Sequence, residues 1–332
     1  AIKAAAENEG HPYVLPQHFK LTMKVIAEKD VVPASEIIRA WMPIPRRYLF
    51  QKEYKLLSSS SRPKYVAEEN SPLRSIYLEQ PARQGKPTEF RITYEYTMNG
   101  ISFSLLSSKV KPANKEDFAL KPFLGEGPHI LFSEKINELA ERIAGTETNQ
   151  MLRAQAFYNW MADNIKYSYA REYSTLTNIS DYCASNGYGD CGQEALLFIT
   201  LCRSQGIPAR WQTGWFIFPG HKTIHDWTEI YLAPYGWVPV DPYMGIFAMR
   251  YSPGLAREER REIRDFYFGG LDQFRMIANS DHNQNLQPPK KSFRSDDVDF
   301  QRGELESGND NIYFDKFSYE LIVDEPKETS PK

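Results

Sequence analysis

From Phe19 the chain alternates apolar and polar residues, Phe19-Lys-Leu-Thr-Met-Lys-Val-Ile26. A period of two predicts a strand with one buried face. Further short β segments follow at Ile37–Pro45, Lys55–Leu57, Ser75–Glu79 and Glu89–Thr97. Turn-forming runs such as Ser58-Ser-Ser-Ser-Arg-Pro63 separate them. No helical period intervenes. The pattern predicts an all-β, sandwich-like domain over residues 17–112, behind a loose polar arm at residues 1–16.

A Pro/Gly-rich connector runs from Lys111 to Pro128, and the period then changes to that of helices. Ser133 is placed to cap a helix whose apolar face is Ile136, Leu139, Ala140 and Ile143, with Gly145 as its stop. A second helix begins near Thr148 and buries Phe157, Trp160, Met161 and Ile165. After a tyrosine-rich, loop-like stretch (Tyr167–Tyr188, a prospective cleft wall), a third helix starts at Cys191. Its buried face is Ala195, Phe198, Ile199 and Cys202. Asp190 is its N-cap, Gln193 has capping-box spacing, and Gly206 and Pro208 end it.

Strands are then expected at Ala209–Phe218, His225–Leu232 and Trp237–Asp241, the last two forming a hairpin around Pro234-Tyr-Gly236. Beyond Asp241 the signals are a helix at Pro253–Arg264, a turn into a strand from Phe266, a polar stretch at 279–310, a strand at Asn311–Val323 and a charged tail from Asp324. Residues 113–245 thus read as an α+β core of helices on an antiparallel sheet. Residues 246–332 are expected to pack back on it as extra strands and cleft wall.

Composition sharpens this picture little. A length of 332 residues suggests two domains or one with a large extension, and 41% hydrophobic with 25% charged residues is ordinary for a globular protein. Aromatics at 14% point to β packing or aromatic-lined grooves. Net charge is −3, and the arginines 257, 260, 261 and 264 are interleaved with glutamates, so nucleic acid is not an expected partner. Three cysteines are too few for a disulfide framework. There is no transmembrane run and no signal-peptide core. The start at Ala1, without Met, raises the expectation of a trimmed leader and an exported protein.

Candidate chemistry centres on Cys191. A helix N-terminus favours the thiolate, and Gly189 and Gly192 leave the sulfur uncrowded; the neighbouring Asp190 carboxylate opposes the anion unless capping uses its charge. Cys202, on the apolar face, reads as a small buried hydrophobe, and Cys183 as a free loop thiol. A cysteine nucleophile needs a base and an orienting group. His225 and Asp241 fall near the open end of the hairpin, where a carboxylate fixes the imidazole tautomer.

Tyr188-Gly-Asp-Cys-Gly192, His225-Asp-Trp-Thr-Glu-Ile-Tyr231 and Gly236-Trp-Val-Pro-Val-Asp-Pro242 together resemble the transglutaminase-like superfamily. The resemblance covers roughly residues 133–245. It implies a papain-like core, with Cys191 as nucleophile, His225 as base, Asp241 as orienter, and an amide of a peptide or protein as substrate. Some bacterial members carry a comparable N-terminal β domain. No cofactor is expected.

Three readings compete at this stage. The favoured one is a thiol acyl-transfer enzyme, hydrolytic rather than cross-linking because no lysine-recruiting acidic cluster or calcium loop appears. Its first oxyanion donor is the Cys191 N–H, with Asn186, Tyr188 and Trp160 as candidates for the second. A zinc site would use Cys191, His221 and His225. A scaffold would keep the fold without catalysis.

Overall fold

The computed structural model describes residues 1–169 and 171–324; the tail beyond Asp324 lies outside them. The fold is α+β and divides into two units.

The first unit comprises Ala1–Leu15, Gly100–Gln212 and His225–Asp272. It holds the helices α1 (Ile2–Glu9), α2 (Glu134–Ala144), α3 (Gln150–Asn164), α4 (Ile179–Asn186), α5 (Cys191–Ser204), α6 (Pro242–Arg250) and α7 (Arg257–Phe266). Caps set several of their starts. The Ser133 hydroxyl accepts from Ile136 N–H at 3.3 Å, and Asn149 Oδ1 from Met151 and Leu152 N–H at 3.0 and 3.3 Å. Helix α2 buries Ile136, Leu139 and Ala140 as its period requires. Helix α5 is buried without a break from Gly192 to Arg203. A helix apolar on one face alone could not occupy that place; α5 is a central core helix.

Three helices depart from the sequence reading. The expected loose arm contains α1, ended by Gly10 in the left-handed region at φ 72°. The expected loop before Cys191 contains α4, so Cys183 is a fully buried helical residue and not a loop thiol. Helix α6 begins directly after Asp241, with Pro242 in its first turn. The expected hairpin forms: Thr228 lies opposite Val240 and Leu232 opposite Gly236, whose φ of 83° suits only glycine in the turn.

The second unit comprises Pro16–Asn99, Thr213–Ile224 and, of the described residues, 273–324. Its named strand pairings are antiparallel. The strand Tyr13–Ala27 pairs with Phe317–Asp324, setting Lys20 against Asp324 and Ala27 against Phe317. Ile37–Pro43 pairs with Ser75–Pro81 on one side and Glu304–Ser307 on the other. The alternation that announced a strand at Phe19 is the burial pattern itself: Leu21, Met23, Val25 and Ala27 are fully buried between half-buried Thr22, Lys24 and Ile26. Residues 273–324 group with the β-rich residues 16–99. Residues 213–224 join the same unit, and the strand expected at Asn311–Val323 is two, Asp310–Ile312 and Phe317–Asp324. Among the described residues no helix is long and apolar enough to cross a membrane.

Candidate active site

Cys191 is the first residue of α5, and Asp190 caps that helix by accepting the Gln193 N–H at 3.0 Å. The capping box is one-sided, since among the described residues the Gln193 carboxamide has no hydrogen-bond partner. The Tyr173 hydroxyl donates to Asp190 at 2.6 Å from the other side. Gly192 is required here for space. A Cβ on it would stand 2.1 Å from the Tyr173 hydroxyl and 3.0 Å from Asp226 Oδ2. Of the three cysteines, Cys191 alone keeps partial exposure; Cys183 and Cys202 are buried.

His225 and Asp241 meet across the hairpin. The His225 Nε2 to Asp241 Oδ2 distance is 2.9 Å, with His225 3% exposed and Asp241 not at all. Asp241 is held twice, because its Oδ1 caps α6 by accepting the Met244 N–H at 3.1 Å. A carboxylate fixed on Nε2 selects the tautomer that carries its lone pair on Nδ1. Trp227 stacks near the imidazole at 5.6 Å between centroids, and its indole N–H donates to Gln212 at 2.6 Å. Tyr243, in the first turn of α6, sets its ring against His225 at 4.9 Å and against Tyr167 at 4.9 Å. Tyr167 thus reaches His225 through the Tyr243 ring.

The contact recorded for the Cys191 sulfur is with Asp226, at 3.5 Å from Sγ to Oδ2. Sequence reasoning gave Asp226 no role, because strand alternation puts it on the face opposite His225. This neighbour changes the electrostatics. Burial pushes the Cys191 thiol well above its ordinary range, with the Asp226 and Asp190 carboxylates pushing further the same way. The helix terminus, expected to favour the thiolate, is outweighed. Burial also raises Asp190, against the holding effect of its bonds to Tyr173, Gln193 and Gly192. Glu194, fully buried in the first turn of α5, is raised well above the carboxylate range by burial, then by Asp190 and Asp241. Its two oxygens accept no hydrogen bond from the described residues.

Two of the three candidates for a second oxyanion donor are engaged elsewhere. Asn186 Nδ2 donates to the Tyr182 carbonyl at 2.7 Å, and the Tyr188 hydroxyl lies 3.2 Å from that of Tyr182. Among the described residues no group of three or more His, Cys, Asp or Glu is arranged to hold a metal.

Residues 137–242 match the family model of the transglutaminase-like superfamily. The match is to this segment of the chain. The superfamily segment contains Cys191, His225 and Asp241, and excludes the strands of the first hundred residues. The chain is 28% identical to an uncharacterized protein of Haemophilus influenzae over 46% of its own length and 48% of that protein. It is 24% identical to the uncharacterized protein YebA of Bacillus subtilis over 40% of its length and 20% of that protein. It thus spans about half the length of one relative and a fifth of the other. A solved structure of a candidate cysteine protease from Cytophaga hutchinsonii superposes with a TM-score of 0.56 at 16% identity, covering 96% of this chain and 95% of that one. That likeness extends the shared fold beyond the superfamily segment.

Proposed function

We propose that this protein is a thiol-dependent enzyme that transfers the acyl group of an amide, a peptide bond or a glutamine carboxamide, to water. The observation that carries the proposal is the His225–Asp241 pair, 2.9 Å apart and shielded from solvent, in the same unit as the helix that starts at Cys191. A buried imidazole with one nitrogen fixed by a carboxylate is arranged for proton transfer through the other.

In this reading Cys191 Sγ attacks the carbonyl carbon while its proton passes to His225 Nδ1. The oxyanion forms at the Cys191 N–H, which as a first-turn amide has no carbonyl four residues back to bond. His225 returns the proton to the leaving nitrogen, and the C–N bond breaks to give an S-acyl enzyme. Water then attacks the thioester, giving up a proton to His225, and thiol and carboxylic acid are released. The raised thiol pKa favours this order, with deprotonation coupled to attack, over a resting thiolate.

Hydrolysis is preferred to cross-linking because an amine acceptor needs a dry approach to the thioester, and water needs no site of its own. The test offers a glutamine-rich protein with a fluorescent primary amine, and separately a mixture of peptides. Peptide cleavage or ammonia release that disappears in Cys191→Ser is the expected result. Cys191-dependent amine incorporation without either would replace the hydrolase by a transamidase. Inactivity in every arm would leave the scaffold reading.

A further inference from the structure

In the β-rich unit a cavity of about 330 Å³ is lined by Arg46, Arg47, Lys52 and Arg74 against Glu53 and Glu69. Four cationic side chains face two carboxylates, so the lining is net positive. The two acids are occupied: Glu69 pairs with Arg47 at 2.8 Å, and Glu53 accepts from the Thr97 hydroxyl at 2.6 Å.

The other two arginines are fixed without any acid. Arg46 donates from Nε to the Ser71 carbonyl at 2.9 Å and from one terminal nitrogen to the Asn70 carbonyl at 2.8 Å. Its guanidinium lies 4.7 Å from the Tyr48 ring centre. Arg74 donates to the carbonyls of Ala67 and Pro45 and lies 4.6 Å from the centre of the Tyr54 ring. It is only 4% exposed. Each fork is thus held rigid by neutral carbonyls and an aromatic face. Among the described residues, neither has a carboxylate within ion-pair distance. A buried guanidinium without a directly paired carboxylate is costly, by several kcal/mol per ion, and Glu69 and Glu68 act on Arg74 only beyond pairing distance. Such an arrangement persists where another group neutralises it.

Two further features converge on the cavity. Strand Gln51–Ser59 carries a bulge between Lys52 and Lys55, with Glu53 in the left-handed region at φ 60°. Bulges re-aim side chains, and a left-handed non-glycine residue is strain held in place by its surroundings. Tyr54, on this bulge, lines the cavity, and among the described residues its hydroxyl has no hydrogen-bond partner. Burial raises that phenol to about 12, so it remains a donor at neutral pH.

We propose that this cavity is an oxyanion-binding site, in which Arg46 and Arg74 clamp a carboxylate or phosphate group of a ligand and Tyr54 donates to it. Paired guanidinium forks fit the planar or tetrahedral oxygens of either group, which lysine as a point charge does not. The site does not depend on the reaction assigned to Cys191.

The test measures thermal unfolding of the full chain with inorganic phosphate and with succinate, against sodium chloride at matched ionic strength. Saturable stabilisation by phosphate or succinate beyond chloride is expected; phosphate alone would assign a phosphate-bearing ligand, succinate alone a carboxylate-bearing one. Arg46→Gln should weaken the apparent affinity by about tenfold, the equivalent of one charge-assisted hydrogen bond. Tyr54→Phe should leave the anion-free protein as stable as before, since the hydroxyl bonds to none of the described residues, and weaken anion binding. If Arg46→Gln does not fold, Arg46→Lys keeps the charge without the fork and should also weaken binding. No anion effect beyond chloride, or unchanged affinity in a folded Arg46 variant, would overturn the proposal.

Discussion

Replacing Asp226 by Asn should make Cys191 more reactive. Asp226 Oδ2 lies 3.5 Å from the sulfur, and Asp226 is the first charged group opposing the thiolate. With both groups ionised at that separation, their repulsion is about 5 kcal/mol at an effective dielectric constant of ~20 and about 1 kcal/mol in water. Cys191 keeps partial exposure, so the lower part of that range applies. Taking about 1.4 kcal/mol, the thiolate fraction at neutral pH rises about tenfold. The sign is fixed: removing a neighbouring negative charge lowers the thiol pKa. The substitution is close to isosteric, so it spares the Gly192–Tyr173 packing. The assay is the rate of Cys191 alkylation by limiting iodoacetamide, followed by peptide mapping across a pH series. Asp226→Asn should shift the profile toward acid and speed alkylation at pH 7 about tenfold. An unchanged or slower rate, with the fold intact, would refute the assignment of Asp226 as the group that holds the thiol protonated.

Two other substitutions probe the same site. Gly192→Ala should destabilise the protein by about 1–3 kcal/mol in urea denaturation, as overpacking does, because its Cβ meets the Tyr173 hydroxyl at 2.1 Å. In a Tyr173→Phe background the cost should shrink, as the nearest remaining Tyr173 atom is a ring carbon at 2.9 Å; equal costs in both backgrounds would contradict this. Glu194→Gln should stabilise the protein increasingly as pH rises. The folded state holds the Glu194 proton above the ordinary value of 4.5, whereas the unfolded chain releases it there, so wild-type stability falls above that pH and the variant's does not share this fall. A stability difference independent of pH would mean that Glu194 is ionised in the fold.

Where local chemistry decides a structure, the sequence carried it. Ser133 and Asp190 cap the helices they were expected to cap, and the hairpin closes at the glycine its turn needs. The His225–Asp241 contact followed from the strand ends of that hairpin. Long-range pairing was not legible. Nothing local says that Lys20 faces Asp324, or that Trp41 faces Glu304. Helix α6 did carry a signal, the Asp-Pro pair of an N-cap followed by proline at the first helical position, but Asp241 had already been read as a strand end. Asp226 was hidden by the alternation rule, and Glu194 by its polarity. A carboxylic acid in the fully buried stretch of α5 contradicts the pattern from which burial is read.

The central claim is that Cys191 becomes acylated through His225 and Asp241. It is tested most directly by intact-mass spectrometry of the acid-quenched full chain mixed with a peptide digest. Wild type should carry an acyl adduct, removable by hydroxylamine and mapping to Cys191. Cys191→Ser should carry none. Adduct formation should be slowed by roughly 100-fold or more in His225→Ala, which loses the base, and less in Asp241→Asn, which keeps it. An adduct on Cys183 or Cys202, or one formed at the same rate without His225, would contradict the account.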